Sequence, residues 1–362
     1  MVRFFLIAGL FMIFLINISL PSEIIDELQL IQAIGYDREE GDQIRGTATF
    51  PLFNPDGTVK AEKFTSVSNT SRYFLSKINT QSPKPLTTGQ LRIVLFENKF
   101  AEKGVLEIVN TLYRDPNIGN TLHMAVVEGS TSKLLKQDYA ANPLAAIYMT
   151  ELIEQNIKTE NLPKTNLHVF LYNFYGKGMD PYLPLLKMGK NKIKLQGIAL
   201  FKEDQYVGKL NHNESFVFKM LVDGSKAGRY EVKLKRGKEK GYGVIRNISA
   251  KTKYHVEKTN GKPKFTLNAT ILGEIHEYPH WLNLEQKPSI DLVESAFKKE
   301  IDMQAAAMVS KFQELGIDPL GLGDQLRRRE RGWDFAKYRE QYKDMEINVS
   351  TKVKIVQTGI IE

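Results

Sequence analysis

Apolar residues fill almost every position from Phe4 to Ile18, with Asn17 and small residues as the only breaks. Arg3 precedes the run, and Glu23, Asp26 and Glu27 follow it. This is the layout of an export signal or a membrane anchor. A run of about 17 apolar residues lies near the lower limit for spanning a bilayer. The positive-inside tendency keeps Arg3 in the cytoplasm and exports everything after Leu20. Signal peptidase favours small residues one and three positions before its cut, and Asn17-Ile18-Ser19 and Leu20-Pro21-Ser22 fit poorly. Retention as an anchor over residues 1–21 is therefore favoured, with cleavage as the alternative.

Beyond the anchor the period changes repeatedly. Residues 27–36 and 42–52 read as strands, the second closed by the turn residues NPDG at 54–57. A short helix is expected over 70–78, ended by SPKP at 82–85. LRIVLFE at 91–97 is a continuous apolar run of strand length, and residues 100–115 have helical spacing through Leu106, Val109, Leu112 and Tyr113. TLHMAVVEG at 121–129 reads as a strand, STSKLLKQ at 130–137 as a helix start, and 142–157 as a helix. This alternation predicts βαβ units with parallel pairing. NLHVFLYNFYG at 166–176 reads as a further strand, and the Gly-, Pro- and Lys-rich stretch 175–192 as a connection between domains.

The second half is mostly strand-like. Residues 192–210 form two strands around a KED turn, 213–223 a short helix, and the stretches from Arg229 to Tyr278 alternate as half-exposed antiparallel strands do. Val293, Phe297, Ile301, Ala305, Met308, Phe312 and Leu315 recur every three or four residues, the apolar stripe of one long helix. Pro288-Ser289 precede it, Asp291 and Glu294 are candidate caps, and Gly316 is its stop. A helix is expected over 324–342 and a strictly alternating strand over 345–359. The pattern predicts an α+β, multi-domain chain: an anchor at 1–21, a mixed α/β domain at 22–190, and an α+β domain at 191–362 with an antiparallel sheet packed on a long helix.

Composition narrows the chemistry. Apolar residues make up 42% of the 362 positions, enough for real cores. Cysteine is absent, which excludes disulfides, thiolate metal sites, a thiol nucleophile and a lipid-carrying cysteine. The net charge is +8, with basic clusters KLKRGKEKGYG at 233–243 and LRRRERGWDFAKYR at 326–339. These read as a solvated loop and an exposed helix face, or else as surfaces for anionic lipid or a partner. Nucleic acid is not an expected partner outside the membrane.

One stretch invites a metal reading. His276-Glu277-Tyr278-Pro279-His280 matches H-E-x-x-H, which binds zinc only on a helix. The preceding FTLNATILGEI is strand-like and Pro279 would break such a helix, so a strand end and a proline turn are expected instead. His123, His168, His212 and His255 are isolated, with His123 and His168 in expected strands. The chain shows no G-x-S-x-G elbow and no phosphate-cradling loop; GLGDQ at 321–325 reads as a turn between helices. No catalytic residue, cofactor site or metal site is assigned, and the chain is read as a non-enzyme.

Several blocks together resemble the Ger(x)C family, the C subunits of spore germinant receptors. They are ELQLIQAIGYD at 27–37, LYRDPNIGNTLHMAVVEG at 112–129, MDPYLPLLK at 179–187, KLQGIALFKEDQYVGKL at 194–210, DPLGLGDQLRR at 318–328, Trp333, and the KVKIVQTG tail. The family's mature chain begins at a lipidated cysteine, and counting back from Asp37 places that position at or near Ser19. A serine there forbids a thioether lipid and favours keeping the apolar run as the anchor. The resemblance implies an anchored, non-catalytic α+β protein on the outer face of the spore inner membrane. Its partners there are the integral membrane subunits A and B, in a complex that senses nutrients and triggers germination. The rival readings are a stand-alone exported solute-binding protein and a wall hydrolase using carboxylates.

Overall fold

The computed structural model describes residues 27–137, 144–159, 161–190, 192–259 and 262–358. The expected anchor at 1–21, with Ser19, lies outside the described residues. The first half runs β1 (Gln29–Leu30), β2 (Ala33–Arg38), β3 (Ile44–Phe53), β4 (Val59–Ser68), α1 (Ser71–Asn79), β5 (Leu86–Thr87), β6 (Ile93–Glu97), α2 (Asn98–Ala101), α3 (Leu106–Tyr113), β7 (His123–Glu128), α4 (Thr131–Lys136), α5 (Ala145–Lys158), α6 (Leu167–Tyr175) and β8 (Tyr182–Met188). There follow β9 (Ile193–Lys202), β10 (Gln205–Leu210), α7 (His212–Val222), β11 (Arg229–Arg236), β12 (Glu239–Thr259), β13 (Lys262–Glu277), α8 (Lys287–Leu315), α9 (Leu322–Arg327), α10 (Phe335–Tyr342) and β14 (Glu346–Thr358).

Among the described residues, eight strands form one sheet in the order β10-β9-β8-β7-β6-β2-β3-β4. Its centre, β2, β6, β7 and β8, is parallel, and its flanks are antiparallel. Successive side chains of a strand point to opposite faces, and both faces of this centre are covered. Ile34, Val94, Phe96, Met124 and Val126 join one apolar cluster with α1, α3 and α6. Ala33, Ile93, Leu95, Ala125 and Val127 join another with α4 and α5. Covered faces explain why β6 and β7 read as unbroken apolar runs.

The second sheet has the order β11-β12-β13-β14. Its first three strands are antiparallel and β14 adds in parallel to β13. The 29-residue α8 lies on this sheet, about 43 Å long at 1.5 Å per residue. Val293, Phe297, Ile301, Ala305, Met308 and Phe312 are buried along the expected stripe. Gly316 ends the helix in the left-handed region at φ 64°, which a glycine adopts without strain. The apolar cluster under α8 also takes in Tyr182, Ile198, Leu200 and Leu210 of the first sheet, so the two sheets share packing through α7. Ring contacts mark the path: Tyr182 meets Phe218 edge-on at 5.1 Å, and Phe218 meets Phe312 at 6.0 Å. The expected division after residue 190 falls between β8 and β9, which pair with each other.

Several expectations are corrected. Residues 167–175 form a helix rather than a strand, because Asn166 caps it by accepting from Val169 N at 2.9 Å and its apolar side packs on the sheet. The expected connection at 175–192 contains β8, a buried strand of the first sheet. The helix expected over 100–115 is two, broken at Gly104 with φ +114°; Asp204 Oδ2 accepts from Leu106 N at 3.0 Å and starts α3 afresh. The helix expected over 324–342 is likewise split into α9 and α10, with Gly332 at φ 76° in the turn between them. β4, which the sequence reading passed over, completes a hairpin with β3. Glu294 does not cap α8; its Oε1 accepts from Ile355 N at 2.7 Å and ties the helix to β14.

Candidate functional site

Two aspartates in the family-like blocks, Asp180 and Asp318, are buried and hold separate parts of the chain together. Asp180 stands at the entry to β8, and its side chain is 1% exposed. Its Oδ1 accepts from Arg339 Nη2 and its Oδ2 from Arg339 Nη1, both at 2.7 Å. Such a forked, charge-assisted pair is the strong form of ion pair. Arg339, on α10, also donates to the carbonyl of Gly316 at 3.1 Å. Asp180 and Asp318 interlock: Asp318 N donates to Asp180 Oδ2 at 2.6 Å, and Asp180 N to the Asp318 carbonyl at 2.9 Å. Asp318 Oδ2 accepts from Gly323 N at 2.8 Å and from the Tyr338 hydroxyl at 2.6 Å.

The electrostatics of this clasp pull in two directions. Burial pushes the Asp318 carboxyl up to about 6, against the pull of the Tyr338 hydroxyl and the Gly323 N–H. Burial also opposes the Arg339 charge, but the hydrogen bonds and charge of Asp180 outweigh it and raise that guanidinium further. Backbone approaches backbone beneath the clasp. A Cβ on Gly178 (φ +102°) would lie 2.7 Å from the Gly323 carbonyl carbon, so both the conformation and the space require glycine.

A second clasp sits in the first sheet. Asp37, buried at the end of β2, accepts from Thr131 N at 2.6 Å and Ser132 N at 2.8 Å, and from the Ser130 hydroxyl at 3.3 Å. It satisfies the free N–H groups at the start of α4. Gly35 lets β2 pass under that turn: a Cβ there would lie 2.4 Å from Thr131 Oγ1. The A-I-G-Y-D stretch at 33–37 and the S-T-S stretch at 130–132 are thus the two halves of one contact.

Beside the Asp180 clasp lies a cavity of about 230 Å³, walled by Phe174, Tyr175, Met179 and Phe335, with Asp180 and Arg339 also lining it. Tyr172 and Tyr175 of α6 are about half exposed nearby. The other singled-out residues do not converge. His276 lies on β13, 3.3 Å from Glu274, and the residues after it leave the strand at Pro279, so H-E-x-x-H is not on a helix. His123 is largely buried beside Glu154 at 3.5 Å, and burial holds its pKa low. His168 is on α6, not on a strand. Lys233, Lys235 and Arg236 are exposed on β11, where Arg236 lies over the Trp281 ring at 5.0 Å and donates to the Trp281 carbonyl at 2.6 Å. The 326–339 cluster is not a free basic face, because Arg327 and Arg328 pair with Asp324 and Arg339 points inward to Asp180. Among the described residues, no helix is long and apolar enough to cross a membrane.

The family model for the spore germination protein N-terminal domain matches residues 21–188. The model for the spore germination B3/GerAC-like C-terminal region matches residues 196–359. A relative from Bacillus cereus, the spore germination protein GerQC, is 34% identical over 350 residues, covering 97% of each chain. The chain belongs to the Ger(x)C family. The YfkR protein of Bacillus subtilis (strain 168) is 23% identical, over 92% of this chain and 86% of its own. The crystal structure of the GerBC protein shares the fold, with a TM-score of 0.59 at 18% identity, covering 91% of this chain and 99% of that one. The aspartates of both clasps, Asp37, Asp180 and Asp318, lie inside the blocks that carried the family likeness in the sequence. Sequence reasoning treated these aspartates as block markers and missed their role. The available signal was two of the three D-P dipeptides, 180–181 and 318–319, each placed before a buried apolar stretch.

Proposed function

We propose that this chain is the membrane-anchored, non-catalytic C subunit of a nutrient germinant receptor, acting in spore germination on the extracytoplasmic face of the spore inner membrane. The observation that carries this reading is the end-to-end match to GerQC, at 34% identity over 97% of both chains. The apolar run Phe4–Ile18 is the anchor and takes the place of the lipid that Ser19 cannot carry. The integral membrane subunits A and B are the docking partners. The two domains, 22–190 and 191–362, act as one body, a reading supported by the pairing of β8 with β9 across their boundary. The buried aspartates brace that body, and no cofactor enters the mechanism. Nutrient-triggered germination then depends on this subunit by assembly with its partners.

The test is affinity capture of the tagged full chain from detergent-solubilised spore membranes, with mass spectrometry of what comes with it. Recovery of A- and B-type subunits supports the reading. Recovery of the chain alone, with a bound small molecule, replaces it with the exported solute-binding reading.

A further inference from the structure

The β3–β4 hairpin ends in an apolar tip that the fold holds out to solvent. Phe53 is 73% exposed and Leu52 41%. The tip is not frayed. Phe50 and Phe64, on the paired strands behind the tip, meet in a tilted ring contact at 4.9 Å between centroids. The turn is closed by Asn54 N donating to the Thr58 carbonyl at 2.9 Å and Thr58 N to Asp56 Oδ1 at 2.9 Å. A pair of large apolar side chains fixed at a hairpin tip costs free energy in water unless something covers them.

The position of the tip says what covers it. Gln29, near the first described residue, donates from Nε2 to the Pro51 carbonyl at 2.9 Å. The chain arriving from the N-terminal apolar run therefore touches the hairpin next to Leu52 and Phe53. Only residues 21–28 separate Leu20 from Gln29, a reach of at most about 30 Å. Charges of both signs lie at this end, with exposed Asp56 in the turn itself and Glu62 paired in register with Phe50. Lys60 is paired in register with Leu52. Arg92 precedes Ile93, which pairs with the first residue of β2. Arg114 follows α3, whose end returns to this side where Thr88 Oγ1 donates to Asp115 Oδ2 at 2.9 Å. Two exposed apolar side chains at a closed turn, with Lys60 beside them and the end of the anchor close by, suit the headgroup interface of a bilayer.

We propose that the Leu52–Phe53 hairpin tip inserts into the headgroup layer of a bilayer beside the anchor, as a second membrane contact that fixes the orientation of the first sheet. The inference rests on the anchored reading above. The absence of cysteine allows a single reporter to be placed by Phe53→Cys in the full chain, with Glu40→Cys, in the turn between β2 and β3 at the opposite end of β3, as the control. Each is labelled with an environment-sensitive fluorophore and reconstituted into vesicles of phosphatidylglycerol and phosphatidylethanolamine, with and without lipids carrying a quencher in the upper acyl chain. The expected result is co-flotation of the protein with vesicles, a blue shift and quenching at position 53, and neither at position 40. Co-flotation with position 53 remaining water-like and unquenched overturns the hairpin insertion and leaves the anchor standing. Failure to co-float overturns the anchored reading and the insertion with it.

Discussion

Replacing Arg339 with Met tests the Asp180 clasp. The arginine side chain is 21% exposed and that of Asp180 1% exposed, so the substitution strands a charge that water cannot reach. Removing one partner of a buried ion pair costs about 3–5 kcal/mol, mostly as the penalty on the group left behind. Asp180 keeps two backbone donors, Asp318 N at 2.6 Å and Glu203 N at 3.2 Å, which holds the loss to the lower end of that range. The contact of Arg339 over Phe335, at 5.1 Å, goes with it and adds about 0.5–1 kcal/mol. The expected loss is about 3–4 kcal/mol. Urea unfolding followed by tryptophan fluorescence reads it, since Trp333 lies in the turn leading to α10. Asp180→Asn and the double variant complete a cycle that separates the pair's coupling from each residue's other contacts. A loss under about 1 kcal/mol, or a coupling energy near zero, would refute the clasp as a stabilising element.

Three further outcomes are expected. The Asp318 carboxyl has a folded-state pKa of about 6 against an ordinary 3.8, so its contribution is present in acid and is lost as pH rises through 6. Asp318→Asn should therefore remove a pH-dependent component on the order of 2 kcal/mol between pH 4 and 7. Parallel wild-type and variant slopes in urea titrations over that window would count against it. Gly35→Ala forces a Cβ to 2.4 Å from the buried Thr131 hydroxyl and should cost about 2 kcal/mol by overpacking, visible as a lowered melting temperature; an unchanged melting temperature would show that the β2–α4 contact is loose. A chain cut after residue 190 loses the β9 partner of β8 and the packing of Tyr182 on Phe218, so neither piece should unfold cooperatively alone. A sharp thermal transition from either piece would contradict this.

Much of the fold was legible where local pattern and tertiary burial agree. The unbroken apolar runs of β6 and β7, the alternation of β11 to β13 and the stripe of α8 are all read directly from spacing. The failures have physical causes. Residues 167–175 are rich in aromatic and branched side chains that suit strands, and a single cap at Asn166 together with packing on the sheet overrides that preference. β8 carries Pro184, which has no N–H to donate, so its sequence looks unlike an inner strand. Glycines set the breaks at Gly104 and Gly332, where a left-handed residue interrupts an otherwise helical period. The clasp was invisible because its partners, Asp180 and Arg339, lie 159 positions apart and each looks like an ordinary surface charge in its own segment.

The central claim is that this chain works as an anchored receptor subunit at the spore inner membrane. Fractionation of spores carrying a C-terminally tagged chain, with mass spectrometry of its N-terminus, tests it most directly. The account predicts an uncleaved N-terminus, without lipid, in the inner-membrane fraction. A processed chain in the soluble fraction would contradict it.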